Sequence, residues 1–148
     1  MRRSIRRHGV SQDAGYTLIE MLVVMAIIGL IAAVLVPGLV GQMGRARAKT
    51  AQVQLETVAA AVESFRSDVG RYPTNSEGLN GLLSQPANAD GWTGPYVKST
   101  KALNDPWGHP INYKESDDML TFVVTSYGAD GLPNGDGLNR DLQAPQTQ

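Results

Sequence analysis

The 148-residue chain contains no cysteine. That absence excludes a disulfide framework, a thiolate zinc site, an iron–sulfur cluster and a cysteine nucleophile together, and it leaves the compartment open. Histidine is scarce, with only His8 and His109, and no Gly-rich phosphate loop of the Walker or dinucleotide kind is present. Charge is sparse too: 18% of residues, 13 Lys+Arg against 14 Asp+Glu, a formal net charge of −1. From Thr50 onward six basic residues face twelve acidic ones, so that half of the chain repels polyanions and no nucleic-acid partner is expected. Apolar residues are plentiful at 42%, enough for a core and too many for a disordered polyelectrolyte. The length accommodates one modest domain.

These averages conceal an uneven distribution. Residues 1–15 form a cationic leader, with Arg2, Arg3, Arg6 and Arg7 against Asp13 alone. From Met21 to Gly44 no residue is charged. Twenty apolar residues in a helix reach roughly 30 Å, the thickness of a bilayer's hydrocarbon core, so this run is a transmembrane candidate. The leading arginines orient it with the N-terminus cytoplasmic and the C-terminal region across the membrane, although Arg45, Arg47 and Lys49 on the far flank reduce the asymmetry. A cleaved secretory signal fits less well. The apolar run is too long for an ordinary h-region, and Val36-Pro37-Gly38 offers no small-residue cleavage site. The other cut, at Gly15-Tyr16, leaves the apolar helix on the mature protein.

Glu20 stands at the edge of the apolar run, where an unpaired carboxylate costs a few kcal/mol. Two readings are open for it: snorkelling to the headgroups near the helix end, or a salt bridge to a free α-amino group, its own or that of a neighbouring copy. Only cleavage after Gly15 creates such an amine nearby.

Past the membrane segment, Leu55, Val58, Val62, Phe65 and Val69 recur at spacings of three and four, with Glu56, Glu63, Arg66 and Asp68 between them. This is one amphipathic helix face that packs on a following domain. Gly70 supplies the C-terminal cap and Pro73 excludes Tyr72 from helical geometry. A single helix from about Tyr16 to about Val69 would be roughly 80 Å long. Pro37 and Gly38 predict a kink or a locally melted turn within it. After Pro73 short segments alternate with Gly, Pro, Asn and Asp. Pro110-Ile111-Asn112-Tyr113 and Leu120 to Thr125 are the strand candidates, with Lys114 to Asp118 as the hairpin between them. The fold class is therefore α+β, one long helix on a small antiparallel sheet. The boundaries read as 1–15 leader, 16–44 apolar helix half, 45–70 amphipathic helix half and 71–148 globular region, with a C-terminal loop at 126–142.

In that loop Asp130, Asp136 and Asp141 lie among Gly131, Gly135 and Gly137. Hard oxygen donors on a flexible turn suit Ca²⁺, yet the spacing is not that of an EF-hand, and by local sequence an acidic solvated turn is the simpler reading. Catalytic readings are weaker. His109 follows a turn glycine with no serine motif beside it, and the pair Asp117-Asp118 falls in a predicted hairpin.

The segment Gly15-Tyr16-Thr17-Leu18-Ile19-Glu20, behind a basic leader and ahead of an apolar helix, resembles the cleavage and methylation signal of type IV pilins and pseudopilins. Tyr16 stands where that family usually has Phe. The later blocks Arg71-Tyr72-Pro73-Thr74, Glu77-Gly78-Leu79, Trp92 with Gly94-Pro95-Tyr96, Asp105-Pro106-Trp107-Gly108 and Ser126-Tyr127-Gly128-Ala129-Asp130-Gly131 resemble, in this order, the major pseudopilins of type II secretion systems. The likeness runs from Gly15 to about Leu142. It implies a type IV pilin-like fold, removal of Met1 to Gly15 by a prepilin peptidase, N-methylation of Tyr16 and use of Glu20 in subunit registration. It makes Pro37 a flexible point for leaving the membrane. It also implies calcium in the C-terminal loop, with carboxylates from Asp130 and Asp141 and carbonyls from Tyr127 and Leu132. Arg140 stands where some relatives carry a further acid, leaving Asp136 or a water for that role.

The implied function is that of a non-enzymatic, single-pass inner-membrane subunit that polymerises with copies of itself into a periplasmic fibre and drives folded proteins through an outer-membrane secretin. Minor pseudopilins, the inner-membrane assembly platform and membrane lipid are the other implied partners. Two alternatives remain: another pilin-like fibre subunit for adhesion or competence, or a monomeric signal-anchored calcium-binding periplasmic module.

Overall fold

The computed structural model describes residues 16–145. Its longest element, α1 (Leu18–Val69, 52 residues), begins where Thr17 can cap it: Thr17 Oγ1 accepts from Glu20 N at 3.2 Å and Thr17 O accepts from Met21 N at 3.2 Å. The helical assignment continues through Pro37 and Gly38, so of the kink or melted turn expected there the melted turn does not form. The chain divides into two compact units between Leu39 and Val40. In the first, every residue from Leu18 to Val36 is exposed.

The second unit holds the core. Leu55, Val58, Val62 and Phe65 are all buried, as their helical spacing requires, while Val69 is half-buried at the rim. Full burial of such a side chain contributes about 1.5–3 kcal/mol. The sheet is antiparallel in the order β1 (Asn112–Glu115), β2 (Phe122–Ser126), β3 (Leu142–Ala144), with Tyr113 opposite Val124 and Thr125 opposite Gln143. Phe122, Val124, Leu142 and Ala144 close the core from the sheet side. Gly70 caps α1 in the left-handed conformation (φ 82°), with its N–H on Arg66 O at 2.8 Å.

Both predicted strands form, displaced by about two residues. Lys114 and Glu115 belong to β1 rather than to the hairpin, because they pair with Val123 and Phe122 of β2; Asn75 Oδ1 also accepts from Glu115 N at 2.8 Å. The connection is Ser116–Thr121. Pro110, which has no N–H to give, makes only an isolated bridge with Asn104. β3 was not foreseen. Three residues are too few for an alternation signal, and its pairing partner lies far away in sequence.

The segment after α1 is held by an ion pair. Arg71 makes two bonds to Glu77, at 2.7 and 2.8 Å, and Glu77 also accepts from Thr74 N at 2.8 Å. The Arg71 guanidinium holds the Glu77 carboxyl below its ordinary value of 4.5. A depressed carboxylate pKa stabilises the fold above its unfolded value, and the benefit is lost as pH falls through the folded value. Thermal unfolding should therefore shift downward below about pH 4.5. Glu77→Gln should cost about 1–2 kcal/mol at neutral pH and flatten that part of the profile.

Candidate functional site

Two regions carry the residues singled out above. At the start of α1, Glu20 lies in the first helical turn, where the exposed N–H groups and the helix dipole favour a carboxylate. Among the described residues its carboxylate has no hydrogen-bond or ion-pair partner. Gly15 lies outside the described residues, as does the leader. Tyr16 is 76% exposed. The apolar flank beyond Glu20 finds no cover within its own unit. Among the described residues α1 alone is long and apolar enough to cross a membrane.

The second region is built on Asp105, a buried carboxylate. Its Oδ1 accepts from Trp107 N at 3.0 Å and from His109 N at 2.9 Å, and its Oδ2 accepts from Ser126 Oγ at 2.6 Å. One side chain thus ties the 105–109 turn to the end of β2. His109 Nδ1 lies 3.1 Å from Gly128 O; a carbonyl only accepts, so Nδ1 carries the proton. The turn histidine read from sequence therefore anchors the C-terminal loop.

That loop contains two short 3-10 turns, Gly128–Asp130 and Gly137–Asn139. Gly128 has φ 69°, and a Cβ there would sit 2.5 Å from Asn139 O; at Gly135 the distance would be 2.0 Å. Only glycine lets these turns meet. Asp130 Oδ1 accepts from Leu132 N at 3.1 Å, and Asp141 Oδ2 accepts from Asn134 N at 2.9 Å. Asp141 Oδ1 is buried without a hydrogen-bond partner. Asp136 Oδ1 accepts from Gly137 N at 2.6 Å and so caps its own turn. Among the described residues no group of three or more acidic or histidine side chains converges in the manner of a metal cluster.

Asp105 and Ser126 stood in the motif blocks without an assigned role. The Asp-Pro-x-Gly turn pattern was the available signal for Asp105, since an Asp there bonds the backbone two residues on. Nothing local points from Asp105 to Ser126.

A membrane-length apolar helix that continues into a small α+β unit with a glycine-dependent C-terminal loop is the build of pilin-like subunits. The comparisons narrow this. The family described as Type II secretion system (T2SS), protein G matches residues 38–145, and the prokaryotic N-terminal methylation motif matches residues 10–36. The type II secretion system core protein G of Xanthomonas campestris is 35% identical over 97% of this chain and 98% of that protein. The protein of the same name from Vibrio cholerae is 32% identical over 88% and 90%. The crystal structure of the major pseudopilin from the type 2 secretion system of enterohaemorrhagic Escherichia coli superposes with a TM-score of 0.57 at 26% identity, covering 73% of this chain and 94% of that one. The chain belongs to the type II secretion system protein G family, and it is membrane-anchored.

Ser126→Ala would leave Asp105 Oδ2 buried without its donor. The expected cost is about 2 kcal/mol, read as a lower midpoint in denaturant unfolding with no change in helix content.

Proposed function

We propose that this chain is the major subunit of a type II secretion pseudopilus. The exposed apolar helix Leu18–Val36, bearing one carboxylate at its edge and overlapping the methylation motif, carries the reading. A prepilin peptidase removes residues 1–15 after Gly15, and Tyr16 becomes the methylated N-terminus. The helix is stored in the inner membrane with its N-terminus cytoplasmic and the C-terminal unit periplasmic. It then moves into a fibre where other copies replace lipid as its contacts. Glu20 pairs with the terminal ammonium of an adjacent copy and sets the axial stagger. Pro37 provides the give needed to leave the bilayer. Minor pseudopilins and the inner-membrane platform guide assembly, and the fibre drives folded proteins through the outer-membrane secretin. The role is structural, not catalytic.

Intact-mass measurement on membranes should find a methylated N-terminus at Tyr16. Retained Met1 would favour a monomeric signal-anchored module instead. Glu20→Ala should insert normally and form no fibres by electron microscopy, since the pairing it removes is worth several kcal/mol in an apolar setting. Normal fibres from that variant would remove its registration role.

Calcium in the C-terminal loop is part of this reading. The buried, unpartnered Asp141 Oδ1 suits a hard cation, and so does the donor chemistry of the loop: carboxylates from Asp130 and Asp141, with main-chain carbonyls of Tyr127 and Leu132. A bound ion would neutralise the two acids and lock the loop. Asp136 is engaged as a cap, so any share it takes comes through a water. Calcium should raise the unfolding midpoint by an amount set by its saturation, about 2.7 kcal/mol at a hundredfold excess over the dissociation constant. Chelation should reverse the shift. Asp141→Asn should abolish it, whereas Asp136→Asn, which keeps an oxygen for Gly137 N, should retain it.

A further inference from the structure

Two exposed features of the globular unit have complementary chemistry and no use in the fold. The first is a groove of about 600 Å³ between α1 and the C-terminal loop. Ala48 and Gln52 form its helix side, and Leu138, 45% exposed, forms the loop side. Leu138 rests on Gly44, where a Cβ would lie only 2.9 Å away. Three cations rim the groove: Arg45, Lys49 and Arg140, all exposed. Among the described residues none of the three has an ion-pair or hydrogen-bond partner. Arg45 and Lys49 are one helical turn apart on one face, whereas Arg140 reaches the groove from the C-terminal loop.

The second feature is the β1–β2 connection. It carries Asp117 and Asp118, followed by Met119 and Leu120, which are 71% and 66% exposed. Met119 has φ 57°, a left-handed conformation that an unbranched apolar residue gains nothing from locally; the other described non-glycine residues with positive φ are asparagines. Hydrogen bonds close the tip. Met119 N donates to Ser116 O at 2.9 Å, Ser116 N to Thr121 O at 2.9 Å, Leu120 N to Asp118 Oδ1 at 3.0 Å, and Ser116 Oγ to Asp118 Oδ1. The tip displays two large apolar side chains beside two acids, a combination suited to a partner that offers both apolar and cationic surface.

The tip does not line the groove of its own chain. Phe122, at the base of the hairpin, lines a cavity with Glu56, Ala59 and Glu63, whereas the groove is walled by helix positions 45 to 52. Those positions are separated by one to several turns of α1.

We propose that the Asp117–Leu120 tip of one copy docks in the Arg45–Lys49–Arg140 groove of another copy of this chain. This deepens the fibre reading above and rests on it. Met119 and Leu120 meet Ala48 and Leu138, and the two acids meet the three cations, which fixes partner orientation. The contact is heterologous: each copy offers one tip and one groove, so the bonding leaves both ends open and continues along a helical polymer.

The full-length processed chain offers a clean test because it has no cysteine of its own. Fibres from cells producing the Met119→Cys, Leu138→Cys chain should give a ladder of covalent multimers under oxidising conditions. A control chain carrying Met119→Cys with Ser67→Cys, where Ser67 is exposed on α1 about five turns beyond Lys49, should give none. Asp117→Lys with Asp118→Lys should lower fibre yield at least tenfold, as should Lys49→Asp with Arg140→Asp, and combining the four should restore it. Fibres without a ladder, an equal ladder in the control, or combined charge reversal that fails to rescue would each overturn the docking. So would a groove occupied by lipid: phosphatidylglycerol in nanodiscs bound several-fold less by Arg140→Gln than by Arg47→Gln, with no ladder in fibres. If the unaltered chain forms no fibres at all, the polymer reading itself fails, separately from this contact.

Discussion

The structure depends on one constraint: the apolar flank of α1 from Leu18 to Val36 has no cover within its own unit. Such a surface is tolerable in lipid or against other copies and nowhere else in a cell, because water cannot solvate it at acceptable cost. Membrane storage and polymerisation are two answers to the same problem. Hydrocarbon packing has no inherent register, and the one carboxylate of this segment, Glu20, stands at its edge.

The globular unit solves a different problem, which is how to hold a long C-terminal loop against a three-stranded sheet with little apolar area to spend on it. Polar geometry does this. Buried Asp105 gathers the 105–109 turn and Ser126 on one carboxylate, and His109 carries the connection on to Gly128 O. Glycines at 128 and 135 then allow two 3-10 turns to meet at Asn139 O. The loop so placed forms one wall of the basic groove beside α1, with Leu138 on Gly44. A substitution in the loop can therefore alter a surface on the helix without touching it.

Legibility followed the range of the interactions. The buried face of α1 was readable because helical periodicity places Leu55, Val58, Val62 and Phe65 on one stripe whatever they pack against. Gly70 as a cap and Pro73 as a stop are local rules as well. The two strands are legible in the sequence but their ends are not, since the pairing of β1 with β2 across the hairpin decides where each begins and stops. β3 was missed for a related reason: Leu142 to Ala144 become a strand only because β2 is there to pair with them. The cleavage motif and the motif order named the family, which periodicity alone could not have done.

By itself the amino-acid sequence determined the apolar helix, the position of Glu20, the amphipathic stripe and the acidic, glycine-rich loop, because each follows from residue type and short-range spacing. Tertiary structure alone decided that Asp105 anchors Ser126 as well as its own turn, that Asp141 keeps an unpartnered oxygen, and that Arg140 joins Arg45 and Lys49 around one groove. The first and last of these bring together residues some twenty to a hundred positions apart, and only the closed fold places such residues side by side.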